Sequence, residues 1–181
     1  PPNPLIISEP VVTNANCYNV ANGEIEINVE GGCAPYTYEW TADLDGDGID
    51  DFYFSSTDPN FTDLEGSYEG INYIVTVTDA NDCTSSNDTS YITEPSEITA
   101  ELVLSEYNCG FGVTCFGLED GSIDLTIIGG TPFGPDGPDG IVGNIDDGIE
   151  YLFEWSTGEI TEDISGIGAG TYSIIVTDAN D

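Results

Sequence analysis

Residues 73–82 read YIVTVTDAND, and residues 172–181 read YSIIVTDAND. In both stretches apolar and polar residues alternate, which is the pattern of a β-strand with one buried face. Tyr73, Val75 and Val77 are expected to lie on that face. The repetition decides the fold more than either stretch alone, because self-similarity at a fixed spacing indicates a tandem array of one structural module.

Further matches lie in the same order before each copy, namely Cys17 with Cys115, Gly31-Gly32 with Gly129-Gly130, Trp40 with Trp155, and Tyr73 with Tyr172. We expect two immunoglobulin-like repeats, residues 1–95 and 96–181. The boundary follows Glu94-Pro95, because proline cannot continue a central strand. Acidic insertions at residues 41–60 and 132–149 separate the matched positions, and the second repeat is expected to lack its last strand.

Short alternating stretches separated by Gly, Asn, Asp and Pro recur along the chain, and no segment shows helical spacing with caps. This pattern predicts an all-β fold of tandem immunoglobulin-like antiparallel β-sandwiches. Tyr36, Tyr38 and Trp40 share one strand face and are expected in the core. Gly170-Thr171-Tyr172 enters a strand in the manner of a tyrosine corner, in which a hydroxyl fixes the preceding turn.

The chain carries a formal charge of −35, from 35 Asp and Glu with no Lys, Arg or His. Such a surface repels phosphate groups, which excludes nucleic acid and anionic membrane surfaces as partners. Direct membrane insertion is not expected either, because no apolar run reaches the length of a membrane span. An enzyme is not expected, since the usual general bases near neutral pH are missing.

Residues 43–51 read DLDGDGIDD, which fits a calcium-binding loop of extracellular folds. The expected ligands are the side chains of Asp43, Asp45, Asp47 and Asp51 and the carbonyl of Ile49. Carboxylates this close together repel one another unless a cation lies among them, and Ca²⁺ prefers such oxygen ligands. We therefore predict a calcium site here; the alternative is a solvated acidic turn.

The second insertion carries a weaker candidate cluster, formed by Asp136, Asp139, Asn144, Asp146 and Asp147. These residues have no recognised ligand spacing. Metal binding and a solvated acidic loop are equal alternatives at this position.

Residues 31–40 read GGCAPYTYEW, and together with residues 73–83 they resemble the SprB-type repeat of gliding-motility and giant cell-surface adhesins of Bacteroidota. Asp82 stands where that family commonly has glycine. The resemblance implies an adhesive segment of a large secreted filament at the bacterial cell surface. Its partners would be neighbouring repeats of the same chain and a polysaccharide or other external surface. The alternatives are a calcium-dependent polysaccharide-binding module and an accessory domain of a secreted enzyme.

Five cysteines favour an oxidising, extracellular compartment. Cys17 precedes one strand and Cys83 follows another, and both recur in the SprB-type repeat, so the resemblance implies a disulfide between them. Pairing of Cys109 with Cys115, or of Cys33 with Cys83, stays open. Disulfides and calcium would together stiffen the segment.

Overall fold

The structure is a computed structural model that describes residues 3–108, 110–138, 140 and 148–180. The chain divides into two compact units between Pro95 and Ser96, called unit 1 and unit 2 below. Every regular element of the described residues is a β-strand. Within them, no helix is long and apolar enough to span a membrane.

Unit 1 is built from antiparallel sheets. Its strands are β1 (Ile6–Ile7), β2 (Val11–Thr13), β3 (Gly23–Glu26), β4 (Val29–Glu30), β5 (Thr37–Ala42), β6 (Phe52–Ser56), β7 (Asn60–Leu64), β8 (Ile71–Thr78) and β9 (Thr84–Ile92). One sheet has the order β2-β3-β7 and the other the order β6-β5-β8-β9, while β1 pairs with β4. Strands that are distant in sequence, such as β5 and β8, are therefore neighbours in the sheet.

The core of unit 1 contains residues from both of its larger sheets. Ile25 of β3 and Leu64 of β7 belong to the same buried cluster as Trp40 of β5 and Val75 of β8. The two sheets therefore pack face to face. Tyr73, with 2% of its surface exposed, is buried alongside Val75, as its alternating position predicts.

Unit 2 is also antiparallel. Its strands are β10 (Thr99–Leu104), β11 (Gly121–Ile128), β12 (Leu152–Trp155), β13 (Ile164–Ile167) and β14 (Ile174–Thr177). The sheet β10-β11-β13 and the pair β12-β14 contribute to one small core. Ile123, Leu125, Trp155 and Ile164 are its buried residues.

The prediction of an all-β antiparallel fold is confirmed; an immunoglobulin-like strand order stays a prediction. The acidic insertion at residues 41–60 contains the strand β6, which pairs with β5 at the edge of the larger sheet. The predicted tyrosine corner is confirmed, since the Tyr172 hydroxyl donates a hydrogen bond to the Gly168 carbonyl at 2.8 Å. Tyr73 makes the equivalent bond to the Glu65 carbonyl at 3.1 Å. Burial, with the nearby Glu65 charge, raises the Tyr73 pKa to about 12.

Candidate functional site

The acidic loop of residues 43–51 joins β5 to β6. Its two ends are held together, because Ala42 and Phe52 are register partners and the Asp51 amide donates to the Ala42 carbonyl at 2.9 Å. Leu44 packs against the core of unit 1 and anchors the start of the loop. A rigid hairpin therefore presents the aspartates at one end of the sheet.

Backbone amides orient the aspartate side chains of this loop. The two carboxylate oxygens of Asp43 accept hydrogen bonds from the amides of Gly46 at 2.8 Å and Gly48 at 2.7 Å. The Gly48 bond is the main cause of the lowered Asp43 pKa. Gly48 has a φ of +87°, a conformation that side chains disfavour, so glycine is required where the chain turns around Asp43. Asp43 therefore stays ionised at neutral pH.

Three of the predicted ligands lie together. Asp43, Asp45 and Asp51 each offer an oxygen, and these oxygens all lie within 4.8 Å of one another. Calcium binds oxygen at about 2.3–2.6 Å, so ligands on opposite sides of one ion are about 5 Å apart. The spacing suits Ca²⁺. The Asp47 carboxylate is outside this group and accepts the Ile49 amide at 2.8 Å.

A second arrangement of carboxylate and amides, not expected from the sequence, lies at the end of β8. Asp79 is only 6% exposed. Its carboxylate accepts the amides of Cys33, Asn81 and Cys83 at 2.9, 2.8 and 2.9 Å. Through these bonds Asp79 ties the turn that follows Gly32 to the start of β9.

Unit 2 repeats this arrangement with Asp178, which is 8% exposed. Its carboxylate accepts the amides of Thr131 at 2.8 Å and Asn180 at 3.0 Å. In each unit a tyrosine hydroxyl also donates to the carbonyl of the first glycine of the Gly-Gly pair, as Tyr151 does to Gly129 at 2.8 Å. We call Asp79 and Asp178 the carboxylate clamps. Both clamps are the first aspartate of the repeated string VTDAND, which is the sequence feature that marks them.

A comparison with known protein families matches two segments of the chain, and each segment contains one of the Gly-Gly turns. The matched segments are residues 10–44 and 113–135, about a third of the chain. Both segments match the SprB repeat. This family is a structural repeat family rather than an enzyme family, and it is associated with cell-surface proteins. No curated protein and no solved structure shows significant similarity to the chain.

The Asp79 clamp gives a pH-dependent prediction. The Cys83 amide, followed by those of Asn81 and Cys33, holds the Asp79 pKa below its ordinary 3.8. A carboxyl with a lowered folded-state pKa stabilises the protein fully above its unfolded pKa, and this contribution is lost as pH falls through the folded value. Asp79→Asn is therefore expected to destabilise unit 1 at pH 7, and the difference from wild type should shrink below about pH 4.

Urea unfolding of both proteins between pH 7 and about pH 2 measures this difference. The matched control is Asp88→Asn, which removes the same charge from an exposed position on β9. A difference between wild type and Asp79→Asn that stays constant over this range would contradict the role of the ionised clamp.

The second acidic cluster lies mostly outside the described residues. Asp136 is half-buried in a turn, whereas Asp139, Asn144, Asp146 and Asp147 are not among the residues that the structure describes. The weaker metal prediction at this place stays a prediction.

Cys17 and Cys83, the predicted disulfide partners, lie near opposite ends of β9. Cys17 lies two residues after Ala15, whose amide bonds to the Thr93 carbonyl just beyond β9. Cys83 lies at the other end of β9, whose nine residues span about 30 Å at ~3.3 Å per residue. A disulfide needs Cα atoms within about 7 Å. Cys83 is a free thiol in the structure.

Cys33 and Cys83 are instead close neighbours, because both amides bond to the carboxylate of Asp79. The Ala80 amide also donates to the Cys33 carbonyl at 2.8 Å. Both residues carry free thiols in the structure. The other alternative, Cys109 with Cys115, lies partly outside the described residues, since Cys109 is not among them.

Proposed function

We propose that the chain is a structural and adhesive segment of a bacterial cell-surface protein of the gliding-motility adhesin type. The observation that carries this proposal is the SprB repeat match in both units. Two further observations support it. The duplicated clamps and Gly-Gly turns are structural devices, and a chain without Lys, Arg or His has few groups for acid–base catalysis near neutral pH.

Calcium is part of this proposal as the stiffening agent. A charge of −35 with no basic side chain leaves carboxylate repulsion uncompensated within the chain. Asp43, Asp45 and Asp51 provide the most closely grouped set of acids in the described residues. An ion there would fix the β5–β6 hairpin and offset repulsion at the same place. In an oxidising compartment, a bond between Cys33 and Cys83 would reinforce the opposite turn of the unit.

Calcium is therefore expected to raise the melting temperature of the chain. A ligand present at a hundred times its Kd adds about 2.7 kcal/mol to stability, and each kcal/mol shifts the melting temperature of a 60–100-residue unit by roughly 4–8 °C. We expect a rise of about 10 °C or more, measured by calorimetry with calcium and then with chelator. Asp45→Asn and Asp51→Asn should abolish most of it.

The matched control is Asp50→Asn, which removes one charge from the same loop but lies outside the group of three oxygens. This variant should keep the calcium response. An equal loss of response in Asp50→Asn would indicate non-specific charge screening. A wild-type protein whose melting temperature is the same in calcium and in chelator would contradict the site itself.

Adhesion is tested separately with beads that carry the chain. They should attach to glass or to polysaccharide-coated surfaces in calcium and detach in chelator. Polysaccharide is supported as a target by Tyr53 of β6, which is 65% exposed and donates to Glu39 at 2.8 Å close to the acidic loop. Aromatic rings with a polar partner are suited to contact sugars. Beads that attach equally with and without calcium would contradict the proposed role of the ion in adhesion.

A further inference from the structure

Two cysteines of unit 1 are held beside each other by the dipeptide Asp79-Ala80. The Cys33 amide donates to the Asp79 carboxylate at 2.9 Å, and the Cys33 carbonyl accepts from the Ala80 amide at 2.8 Å. The Cys83 amide donates to the other oxygen of the same carboxylate at 2.9 Å, and its carbonyl accepts from the Asp79 amide at 2.9 Å. All four main-chain polar groups of the two cysteines therefore bond to one dipeptide.

This arrangement provides the close approach of two backbones that a disulfide requires. A disulfide joins residues whose Cα atoms are about 4.4–6.8 Å apart. Two amides that bond to the two oxygens of one carboxylate are held at a separation of that order. The Cys83 side chain also hydrogen-bonds to the Asp79 carboxylate, so its sulfur points toward the group that Cys33 contacts.

Unit 2 builds the same turn without a cysteine. Thr131 is the equivalent of Cys33, since each follows the Gly-Gly pair of its unit. The Thr131 amide donates to the Asp178 carboxylate at 2.8 Å, and its carbonyl accepts from the Ala179 amide at 2.9 Å. The turn therefore forms with a hydroxyl residue, and the thiol of Cys33 is not needed for its hydrogen bonds.

The two thiols differ in their access to solvent. Cys83 is exposed, whereas Cys33 is half-buried, and both are free thiols in the structure. The rate of thiol–disulfide exchange depends on access to the attacking thiol. Cys83 is therefore placed to react first with a small disulfide from solvent, and Cys33 is placed to attack the Cys83 sulfur afterwards.

We propose that Cys33 and Cys83 form a disulfide that locks the Gly-Gly turn of unit 1 to the start of β9. The Cys83 thiolate attacks a small-molecule disulfide, which forms a mixed disulfide and releases one small thiolate. The Cys33 thiolate then attacks the Cys83 sulfur, which forms the cross-link and releases the second small thiolate. The two cysteines lose two protons and two electrons, and the small disulfide is reduced to two thiols.

This cross-link deepens the reinforcing bond of the proposed function, and its formation in the cell rests on the surface location proposed there. Its chemistry and its effect on stability are properties of the purified chain. A chain that fails to adhere would leave both unchanged, so the two proposals fail separately.

The cross-link and the Asp79 clamp join the same two segments, one by a covalent bond and the other by hydrogen bonds. Once the covalent bond is present, loss of the carboxylate no longer lets the segments separate. Asp79→Asn is therefore expected to lower the melting temperature less in the oxidised protein than in the reduced protein. A disulfide elsewhere in the chain would not have this effect.

The test oxidises the folded 181-residue chain with hydroxyethyl disulfide, an uncharged reagent, because a charge of −35 repels anionic glutathione disulfide. Free thiols are then alkylated, and peptic digestion with mass spectrometry identifies the linked peptides. We expect a peptide pair that joins Cys33 to Cys83. Calorimetry should show a melting temperature at least about 10 °C above that of the reduced protein, because the bond closes a long loop of the unfolded chain.

Two variants assign this effect. Cys33→Thr introduces the residue type that unit 2 has at the equivalent position, so the turn should still form. This variant should lose the rise in melting temperature and accumulate the mixed disulfide at Cys83. The matched control is Cys115→Ser, which removes an exposed thiol of unit 2 and should keep both the linked peptide and the rise.

Any of three results would overturn the proposal. The first is a Cys33 thiol that remains open to alkylation after oxidation of the folded protein. The second is a bond from Cys83 to a different cysteine. The third is an Asp79→Asn variant whose melting temperature falls by the same amount in the oxidised and the reduced protein.

Discussion

Replacing Trp40 with alanine is expected to destabilise unit 1 by about 4 kcal/mol, since loss of a buried large aromatic side chain costs about 3–5 kcal/mol. Trp40 has no exposed surface, and its ring lies 5.3 Å from that of Phe61 between the two sheets. Removing it leaves a cavity that neither sheet can close without moving. Domains of this size are stable by only about 5–15 kcal/mol, so the loss is a large part of the total.

Urea unfolding followed by circular dichroism, together with amide exchange in β5 and β8, measures this effect. Tyr68→Ala is the control, because Tyr68 is 76% exposed and its loss should cost less than about 0.5 kcal/mol. Loss of a buried aromatic side chain costs ~3–5 kcal/mol in other proteins. A Trp40→Ala protein whose free energy of unfolding lies within about 1 kcal/mol of that of wild type would contradict the central position of Trp40.

The two tryptophans also differ in their polar atom. The indole nitrogen of Trp155 donates to the Thr161 carbonyl at 2.9 Å, whereas that of Trp40 has no hydrogen-bond partner among the described residues. Trp40→Phe therefore removes an unpaired buried donor along with some volume. Trp155→Phe instead removes the donor to the carbonyl of Thr161, an exposed residue, so water can replace this bond and the cost is mainly that of the lost volume. The equivalence of the two residues in sequence does not extend to this bond.

The alternating patterns predicted the faces of the strands but not the extent of their burial. Val75 and Ile174 occupy equivalent positions in equivalent strands, and both point toward a core. Only Val75 is fully buried, because β9 covers it. Alternation reports which side of a strand a residue occupies, whereas burial depends on which other strands cover that side.

Features of the site that are formed by residues close together in the sequence were predictable from it. The aspartates of residues 43–51 are close in sequence, so their spacing alone brings three of them together. Asp79 bonds to an amide 46 residues away, and among 35 acids nothing but its repetition as Asp178 distinguished it. The pairing of Cys17 with Cys83 rested on the family resemblance, which does not tell which end of β9 each cysteine lies near.

Replacing Gly129 with alanine is expected to destabilise unit 2 by about 3 kcal/mol. Gly129 has a φ of +87°, which costs a residue with a side chain about 1–2 kcal/mol. A Cβ at this position would lie 2.1 Å from the Glu97 carbonyl oxygen, and relieving such a contact adds about 1–3 kcal/mol. The backbone cannot simply move away, because the neighbouring Gly130 amide bonds to the Ser96 carbonyl at 2.9 Å.

Gly158→Ala separates the two contributions. Gly158 has a φ of +94°, but no atom of the described residues outside its immediate chain neighbours lies within 4 Å of its Cβ position. This control should therefore lose only the backbone cost, about 1–2 kcal/mol. In thermal unfolding, Gly129→Ala should melt roughly 4–16 °C below Gly158→Ala, since 1 kcal/mol corresponds to about 4–8 °C in a unit of this size. Equal melting temperatures would show that the contact with Glu97 is relieved without cost, and that the Gly-Gly turn needs glycine for its backbone conformation alone.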